Sequence, residues 1–480
     1  MSKYLYGASV QGIQEFIFAT NQLREIVGAS EIVKSLKKEF EDFTKEMQVT
    51  VLLNAAGNIK AIFKDKTACE DVVRDFAKKI QQKAYGITIS QAVVKMEGAF
   101  ATQEEAMKEL EKKLKTQRSR PSLPLDMHIN ILKQSPKTAR PIHIYKHGEP
   151  LDMATKQKRD AYTKWFNEKR KENPDFKELK EISALSNGKN KIAVIHADGN
   201  GLGQIVPKLS DKLSSFSVAL ETATQNAFNN AKTPNMKIRE VILGGDDMTV
   251  ICDANEALEF TRKFLENFET ETQKIKELNG LKEKLTACAG IAFCNEKYPF
   301  HYAVHLAEAL CSQTKKHAKA IDKELAPSSL MFHNIQSSNF QSWEKFVEDE
   351  LTIVNDKETI RCDFGPYYLD ENIEFHKETQ PTIQDLLNTA NAYRQEGSPI
   401  SRLREWMGEL HKSSQGAENL LKRINEITER SEKWKCEIMD KNLKKLTPKL
   451  CNQELIIQKE GHQKTPIYDI LQIHSVTEAK

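Results

Sequence analysis

Two stretches of this chain describe the same unit when one is laid above the other. Residues 3–18 read KYLYGASVQGIQEFIF and residues 191–206 read KIAVIHADGNGLGQIV. Each is an apolar strand pattern that runs into glycine-containing turn chemistry and then into a helical pattern. Farther on, LNAAGNIKAIF (53–63) parallels LGGDDMTVIC (243–252), an apolar run, a turn of small residues and a second apolar run, which is a β-hairpin signal. GITISQAVVKM (86–96) then parallels KLTACAGIAFC (284–294), each after a charged helical segment. The order strand, helix, hairpin, helix, strand occurs twice, and four strands with two helices on one face is the ferredoxin-like arrangement. Without a gap, Val10 stands where the second copy has Asp198, and Ala55, Ala56, Gly57 and Asn58 stand at Gly244, Gly245, Asp246 and Asp247.

The second copy brings chemistry that the first lacks. Its first strand, IAVIHA, ends at Asp198 and continues as GNGLG. A carboxylate at a strand end, beside backbone amides at a helix start, can hold a cation and phosphate oxygens together. Gly199, Asn200 and Gly201 are therefore candidate nucleotide-binding residues. In a ferredoxin-like sheet the hairpin of LGGDDMTV pairs with that strand and sets Asp246 and Asp247 beside Asp198. Gly244 and Gly245 permit positive φ in a tight turn and leave room for a nucleotide. Three carboxylates from adjacent strands make a hard oxygen site suited to Mg²⁺ or Mn²⁺. Such ions activate a 3′-hydroxyl and stabilise a pyrophosphate leaving group, so Asp246 and Asp247 are the candidate catalytic residues of a nucleotidyl transfer. Gly and Asp are also the ordinary residues of hairpin turns; Asp198 at the matching strand end is what favours the functional reading. The amphipathic segment after Pro299 ends in Lys315 and Lys316, and Lys315 is the candidate cation for the triphosphate, with a solvated lysine run as the alternative.

Composition narrows the setting. Lys+Arg number 71 against Asp+Glu 68, a net charge of +3, which argues against a protein that coats polyanions. The eight cysteines contain no CxxC pair and sit mostly in apolar runs, as buried thiols of a reducing compartment do. No charged-then-apolar leader opens the chain and no apolar run approaches the roughly 18 residues of a membrane span, so a cytoplasmic protein without membrane attachment is expected. The fold class expected is α+β. Its parts are a first ferredoxin-like domain at 1–97, a polar and basic helical region at 98–190, a second domain at 191–330 and a C-terminal strand plus helical domain at 331–480. In the middle region Pro121, Pro124, Pro136, Pro141 and Pro150 break any long helix. Basic residues around Tyr162, Trp165 and Phe166 could contact RNA or form a solvated amphipathic helix. His301 and His305, with Glu308 beyond, have helical spacing for a transition metal but nothing to complete the site. TIRCDFGPYYL (359–369) reads as a strand, and Ser398 before Pro399 as a helix start.

The segments GIQEFIFATNQLREIVGASEIVKSL (12–36), DGNGLG, GGDD and AGIAFCNEKYPFHYAVHLAEALCSQTKK together resemble the large polymerase/cyclase subunit of type III CRISPR effector complexes. The likeness covers most of residues 1–330. It implies tandem palm domains, the first degenerate and the second bearing GGDD, that convert ATP, with GTP as an alternative, into cyclic oligoadenylates for antiviral defence. Asp198, Asp246 and Asp247 would be its metal ligands, and Gly244 and Gly245 would floor the nucleotide pocket. GGDEF-type diguanylate cyclases share the palm, and Lys315 falls at their helical lysine. CRISPR RNA, target RNA and other effector subunits are the implied partners, with self-association left open. Members commonly begin with a histidine–aspartate nuclease domain and carry a cysteine-ligated zinc module. This sequence has no His-Asp dipeptide and no CxxC, so DNA cleavage by that route is not expected. Asn200 stands where a second acidic residue is common. Two rivals stay open: a non-catalytic RNA-binding scaffold of the same complexes, and a signalling cyclase outside them.

Overall fold

The computed structural model describes residues 3–55, 57–120, 131–172, 174, 181–209, 212–336, 340, 342–355, 358–369, 380–431, 434 and 436–478. Ala56, Pro121 and Pro124 lie outside the described residues. The first unit runs β1 (Lys3–Gln11), α1 (Ile13–Phe18), α2 (Leu23–Thr44), β2 (Val49–Ala55) and β3 (Asn58–Phe63). It continues through α3 (Lys66–Asp71), a π turn at Val72–Phe76, α4 (Ala77–Lys83) and β4 (Thr88–Met96). Its antiparallel sheet has the ferredoxin-like order β2-β3-β1-β4. In α2, Leu23, Val27, Ser30, Val33, Leu36 and Phe40 recur every three or four residues, and this stripe is buried. The next helix, α5 (Gln103–Arg118), is capped by Thr102 and lays Leu110 against Gly7 of β1. A Cβ at Gly7 would lie 2.7 Å from Leu110 Cδ2.

After a small hairpin, β5 (Ile144–Lys146) and β6 (Glu149–Leu151), α6 (Met153–Glu172) crosses α2. The crossing is so close that a Cβ on Gly28 would stand 1.7 Å from Lys158 O. Arg159 of α6 is anchored by Glu25 and Glu149, each at 2.7 Å. Tyr162 is buried, Phe166 stacks on it and Arg239 lies 4.1 Å over the Trp165 ring. These aromatics are spent on protein contacts, as in an amphipathic helix rather than a base-stacking platform.

The second unit repeats the plan with β7 (Lys191–Gly199), α7 (Leu202–Ile205), α8 (Leu213–Ala231), β8 (Ile238–Gly244), β9 (Asp247–Asp253), α9 (Ala257–Thr272) and β10 (Ala287–Asn295). Then α10 (Phe300–Ile321) takes the place that α5 has in the first unit, and leads to β11 (Ser329–Asn334), parallel to β10. The sheet therefore grows to six strands, in which an edge strand β14 (Tyr367–Tyr368) precedes β11-β10-β7-β9-β8, and β11 runs across residue 330. The strand read over 359–369 is broken in two. Thr359–Arg361 (β13) joins a small sheet with β12 (Thr352–Val354), β15 (Ile457–Lys459) and β16 (His462–Lys464), whereas β14 (Tyr367–Tyr368) pairs with β11. Pro366 between them has no N–H for a ladder.

Strand registers sharpen the duplication. Both long hairpins close two-residue loops, at the pairs Ala55↔Asn58 and Gly244↔Asp247, and both carry an irregularity at the equivalent Leu52 and Val241. Ser9 pairs with Asn58 on one side and Ser90 on the other. Asp198 pairs with Cys288 and lies one step beyond Ala197↔Met248. Ser9, not Val10, is thus the counterpart of Asp198. The ungapped alignment slipped by one residue, and in a strand such a slip exchanges the faces. Val10 belongs to the main core, while Ser9 faces α5, where Arg118 donates to its Oγ at 3.0 Å.

The two units pack reciprocally, α2 on β8 and α8 on β2. Ser30 of α2 donates to Val241 O, Lys34 pairs with Glu240, and Lys37 pairs with Glu221 at 3.1 Å. The C-terminal region is helical at Ile383–Ala392, Ile400–Leu410, Ser414–Glu429, Cys436–Leu446 and Ile467–Val476. Pro399 is the N-cap of the second of these rather than its first residue. The last one braces the second unit: Gln472 accepts from Asn334 N at 2.5 Å, and Asn187 and Lys189 donate to Val476 O and His474 O at 2.8 Å. Among the described residues no helix is long and apolar enough to cross a membrane.

Candidate active site

The strand end of β7 and the tip of the β8–β9 hairpin bring Asp198, Asp246 and Asp247 together, with ligand oxygens within 4.8 Å of one another. Among the described residues this is the only group of three or more His, Cys, Asp and Glu so disposed. His301 and His305 lie on α10 with ring centroids 6.3 Å apart and belong to no such group. The hairpin loop is Gly245–Asp246, and of the two only Gly245 has positive φ, at 62°, the pattern of a type II′ turn. Thr224 of α8 fixes this tip by donating to Gly245 O at 2.5 Å. Gly199 is constrained by the same tip, since a Cβ there would stand 2.7 Å from that of Asp246.

Like charges at this spacing oppose one another. Burial and then the Asp198 charge push the Asp246 carboxyl well above the carboxylate range. Burial and the charges of Asp246 and Asp198 do the same to Asp247. Asp247 keeps an exposed edge, so charge repulsion is the firmer cause there. Lys315 offers partial relief: its Nζ pairs with Asp198 and donates to Gly199 O at 2.7 Å. Burial would lower the Lys315 ammonium, but the charge and hydrogen bond of Asp198 together with the nearby Asp246 charge hold it above its ordinary value. An all-oxygen, like-charged donor set with one lysine fits a hard divalent cation such as Mg²⁺ or Mn²⁺.

Beside the carboxylates lies a cleft of about 760 Å³. Asp198, Gly199, Asn200, Gly201, Asp246 and Lys315 line it, and Lys282, Lys316, Lys319 and Lys323 add to its cationic wall. Gly244 and Gly245 shape the hairpin without lining the cleft. The helix after Asp198 is a single turn, Leu202–Ile205, too short for a dipole of consequence, so lysines rather than a helix end supply the positive field. Asn200 turns inward: its side chain is 3% exposed and Nδ2 donates to Thr286 Oγ1 at 3.1 Å. It fixes the loop from within, and its backbone N–H donates to Thr286 O at 2.7 Å. Lys282, Lys319 and Lys323 were missed in the sequence, although 315, 319 and 323 recur at four-residue spacing. In the first unit Ser9, Gly57 and Asn58 occupy the places of the three aspartates, so that unit has no carboxylate set.

Fold and site together define a class, a protein of paired ferredoxin-like palm domains in which only the second has an acidic site. Residues 191–323 match the family model described as Cas10/Cmr2, second palm domain. The whole fold is shared with Csm1 of the Csm1-Csm4 cassette solved in complex with cA4 (15% identity, TM-score 0.54) and with AMPPNP (13%, TM-score 0.54). It is shared too with the Csm1-Csm4 subcomplex of the type III-A CRISPR-Csm interference complex (13%, TM-score 0.50). Each likeness covers 99% of this chain and 70% of the solved one, and at such identities it is a likeness of fold. No curated protein sequence matches the chain. Residues 191–323 thus form a palm domain similar to that of Cas10/Cmr2, set in a chain whose fold is like that of Csm1.

Proposed function

We propose that the second palm is a metal-dependent nucleotidyl cyclase that converts ATP into a cyclic oligoadenylate signal of type III CRISPR-like antiviral defence, releasing pyrophosphate. The observation that carries this reading is the cluster of three aspartates, of which Asp198 and Asp246 line a lysine-walled cleft. Relatives of the same fold solved with AMPPNP and with cA4 support adenine as the base.

Asp198, Asp246 and Asp247 would hold Mg²⁺ or Mn²⁺, which when bound supplies Lewis-acid activation of the 3′-hydroxyl and neutralises charge on the leaving group. Lys315 and Lys319 would bind the triphosphate as point charges, and Gly199 and Gly201 let it approach the backbone. The 3′-oxygen attacks the α-phosphorus of the next nucleotide, its proton passes to solvent, the bond to the β-phosphate breaks and pyrophosphate leaves. Lys315 would pass from Asp198 to the phosphates as the cation takes its place. The first palm contributes no metal ligand; it buttresses the hairpin through Ser30 and Lys34. CRISPR RNA, target RNA and a Csm4-like subunit are the partners this reading carries. Pyrophosphate release from ATP tests it: release should need Mg²⁺ or Mn²⁺ and vanish in Asp198→Ala, and metal-independent release would sink the reading.

A further inference from the structure

Three of the lysines that wall the cleft, Lys315, Lys316 and Lys319, sit on the last turns of α10, and that half of the helix has little apolar support. Its first half is pinned to β10 where Gly290 admits the backbone, since a Cβ there would lie 2.0 Å from Ala307 O. Large side chains, Phe300, Leu306 and Leu310, bury that half in the main core. Beyond them the helix rests on a separate cluster of small side chains, Cys288, Cys311, Ala318 and Ala326. Short side chains bury little apolar area and so contribute little to holding a helix.

One polar clamp does act there. His317, two residues after Lys315, hydrogen-bonds with Tyr368 through Nδ1 and with Glu460 through Nε2, each at 2.5 Å. A carboxylate only accepts, so Nε2 donates to Glu460, while Nδ1 shares a hydrogen bond with the Tyr368 hydroxyl. Tyr368 lies on the edge strand β14, whereas Glu460 lies in the β15–β16 turn. Glu460 has φ 54°, a left-handed conformation that costs any residue with a Cβ and calls for a holding interaction. Behind it runs a chain of alternating charge. Lys464 meets Glu460 at 3.0 Å and Asp363 at 3.9 Å, and Arg361 holds Asp363 at 2.5 Å. The chain leads from β13, in the C-terminal sheet, to the helix that bears the cleft lysines.

We infer that His317 is a positioning residue for nucleotide binding, clamping the lysine-bearing end of α10 to the C-terminal hairpin through Glu460 and so coupling that region to the cleft. The inference rests on the reading that the cleft takes a nucleoside triphosphate. It adds a route by which anything that moves the β15–β16 turn would change affinity for the substrate.

The test measures AMPPNP affinity by calorimetry with Mg²⁺, beside KM, kcat and melting temperature, for His317→Ala, His317→Gln and Glu460→Gly. Glu460→Gly relieves the positive φ while removing the clamp, so it separates positioning from folding. AMPPNP Kd and KM should rise about five- to twentyfold in His317→Ala and Glu460→Gly, with kcat within about twofold. The melting temperature of Glu460→Gly should not fall, and His317→Gln, which keeps a donor to Glu460, should recover much of the affinity. Affinities within about twofold of the parent in both His317→Ala and Glu460→Gly would overturn the inference. AMPPNP keeps the reacting α–β bond, so its affinity is read from the initial binding heats and product is assayed separately with ATP. A protein that binds AMPPNP through the clamp but makes no product contradicts the cyclase reading alone. A parent protein that binds no AMPPNP contradicts both.

Discussion

Asp198, Asp246 and Asp247 repel one another until positive charge sits among them, and Lys315 supplies only part of it. A carboxyl whose folded pKa lies above its unfolded value, about 3.9, stabilises the fold at low pH and loses that contribution as pH rises through the folded value. Asp246 and Asp247 are shifted in that direction. Metal-free protein should therefore lose stability through this pair between pH 5 and 8, and Mg²⁺ should raise the melting temperature more at pH 8 than at pH 5, by about 1 °C for each kcal/mol in a unit of this size. Differential scanning fluorimetry reads this, and the difference should vanish in Asp246→Asn/Asp247→Asn. By the same logic Asp246→Asn alone should leave metal-free stability unchanged or higher while turnover falls at least a hundredfold, on the order of 3 kcal/mol of barrier. The three aspartates were legible because strand-end and hairpin-tip carboxylates have few other reasons to coincide. The inward turn of Asn200 was not legible, because its partners, Thr286 just before β10 and Ala326 in the loop after α10, lie far along the chain.

Elements were readable where hydrophobic period and turn chemistry agree, as in both ferredoxin-like repeats. They were not readable where pairing is non-local: β11 joins the sheet through the α10 crossover, and β14 is a two-residue edge strand with no pattern to find. The one-residue slip at Val10 has the same origin, since only the register with β3 and β4 tells Ser9 from its neighbour. The approach of α10 to β10 is the tightest of these joints that bears on the site. Gly290→Ala would force a Cβ to 2.0 Å from Ala307 O and 2.5 Å from Cys311 N, both backbone atoms that cannot swing aside. Overpacking of this kind costs about 1–3 kcal/mol, which a urea titration would read as a lower midpoint at unchanged slope. Because the helix carries Lys315 and Lys319, nucleotide affinity should fall with it. An unchanged midpoint would mean that the helix floats free of β10.

Across the whole molecule the two palms are one body. A single buried cluster runs from Tyr6 and Phe40 of the first unit through Phe264 and Ile291 of the second to Trp406 and Ile470 of the C-terminal helices. Unfolding should then be one calorimetric transition, with van't Hoff and calorimetric enthalpies in agreement; separate melting of the palms would contradict the shared core. The reciprocal packing also explains why a palm without carboxylates belongs here. Its α2 holds the strand β8 that ends at the acidic hairpin. What that assembly makes is the central claim, and one measurement addresses it directly. Protein incubated with ATP and Mg²⁺ or Mn²⁺, beside Asp246→Ala/Asp247→Ala, is resolved by mass spectrometry. The account predicts a cyclic oligoadenylate, with or without added RNA, that is absent from the double variant. No product under any of these conditions, or the same product from the double variant, would contradict it.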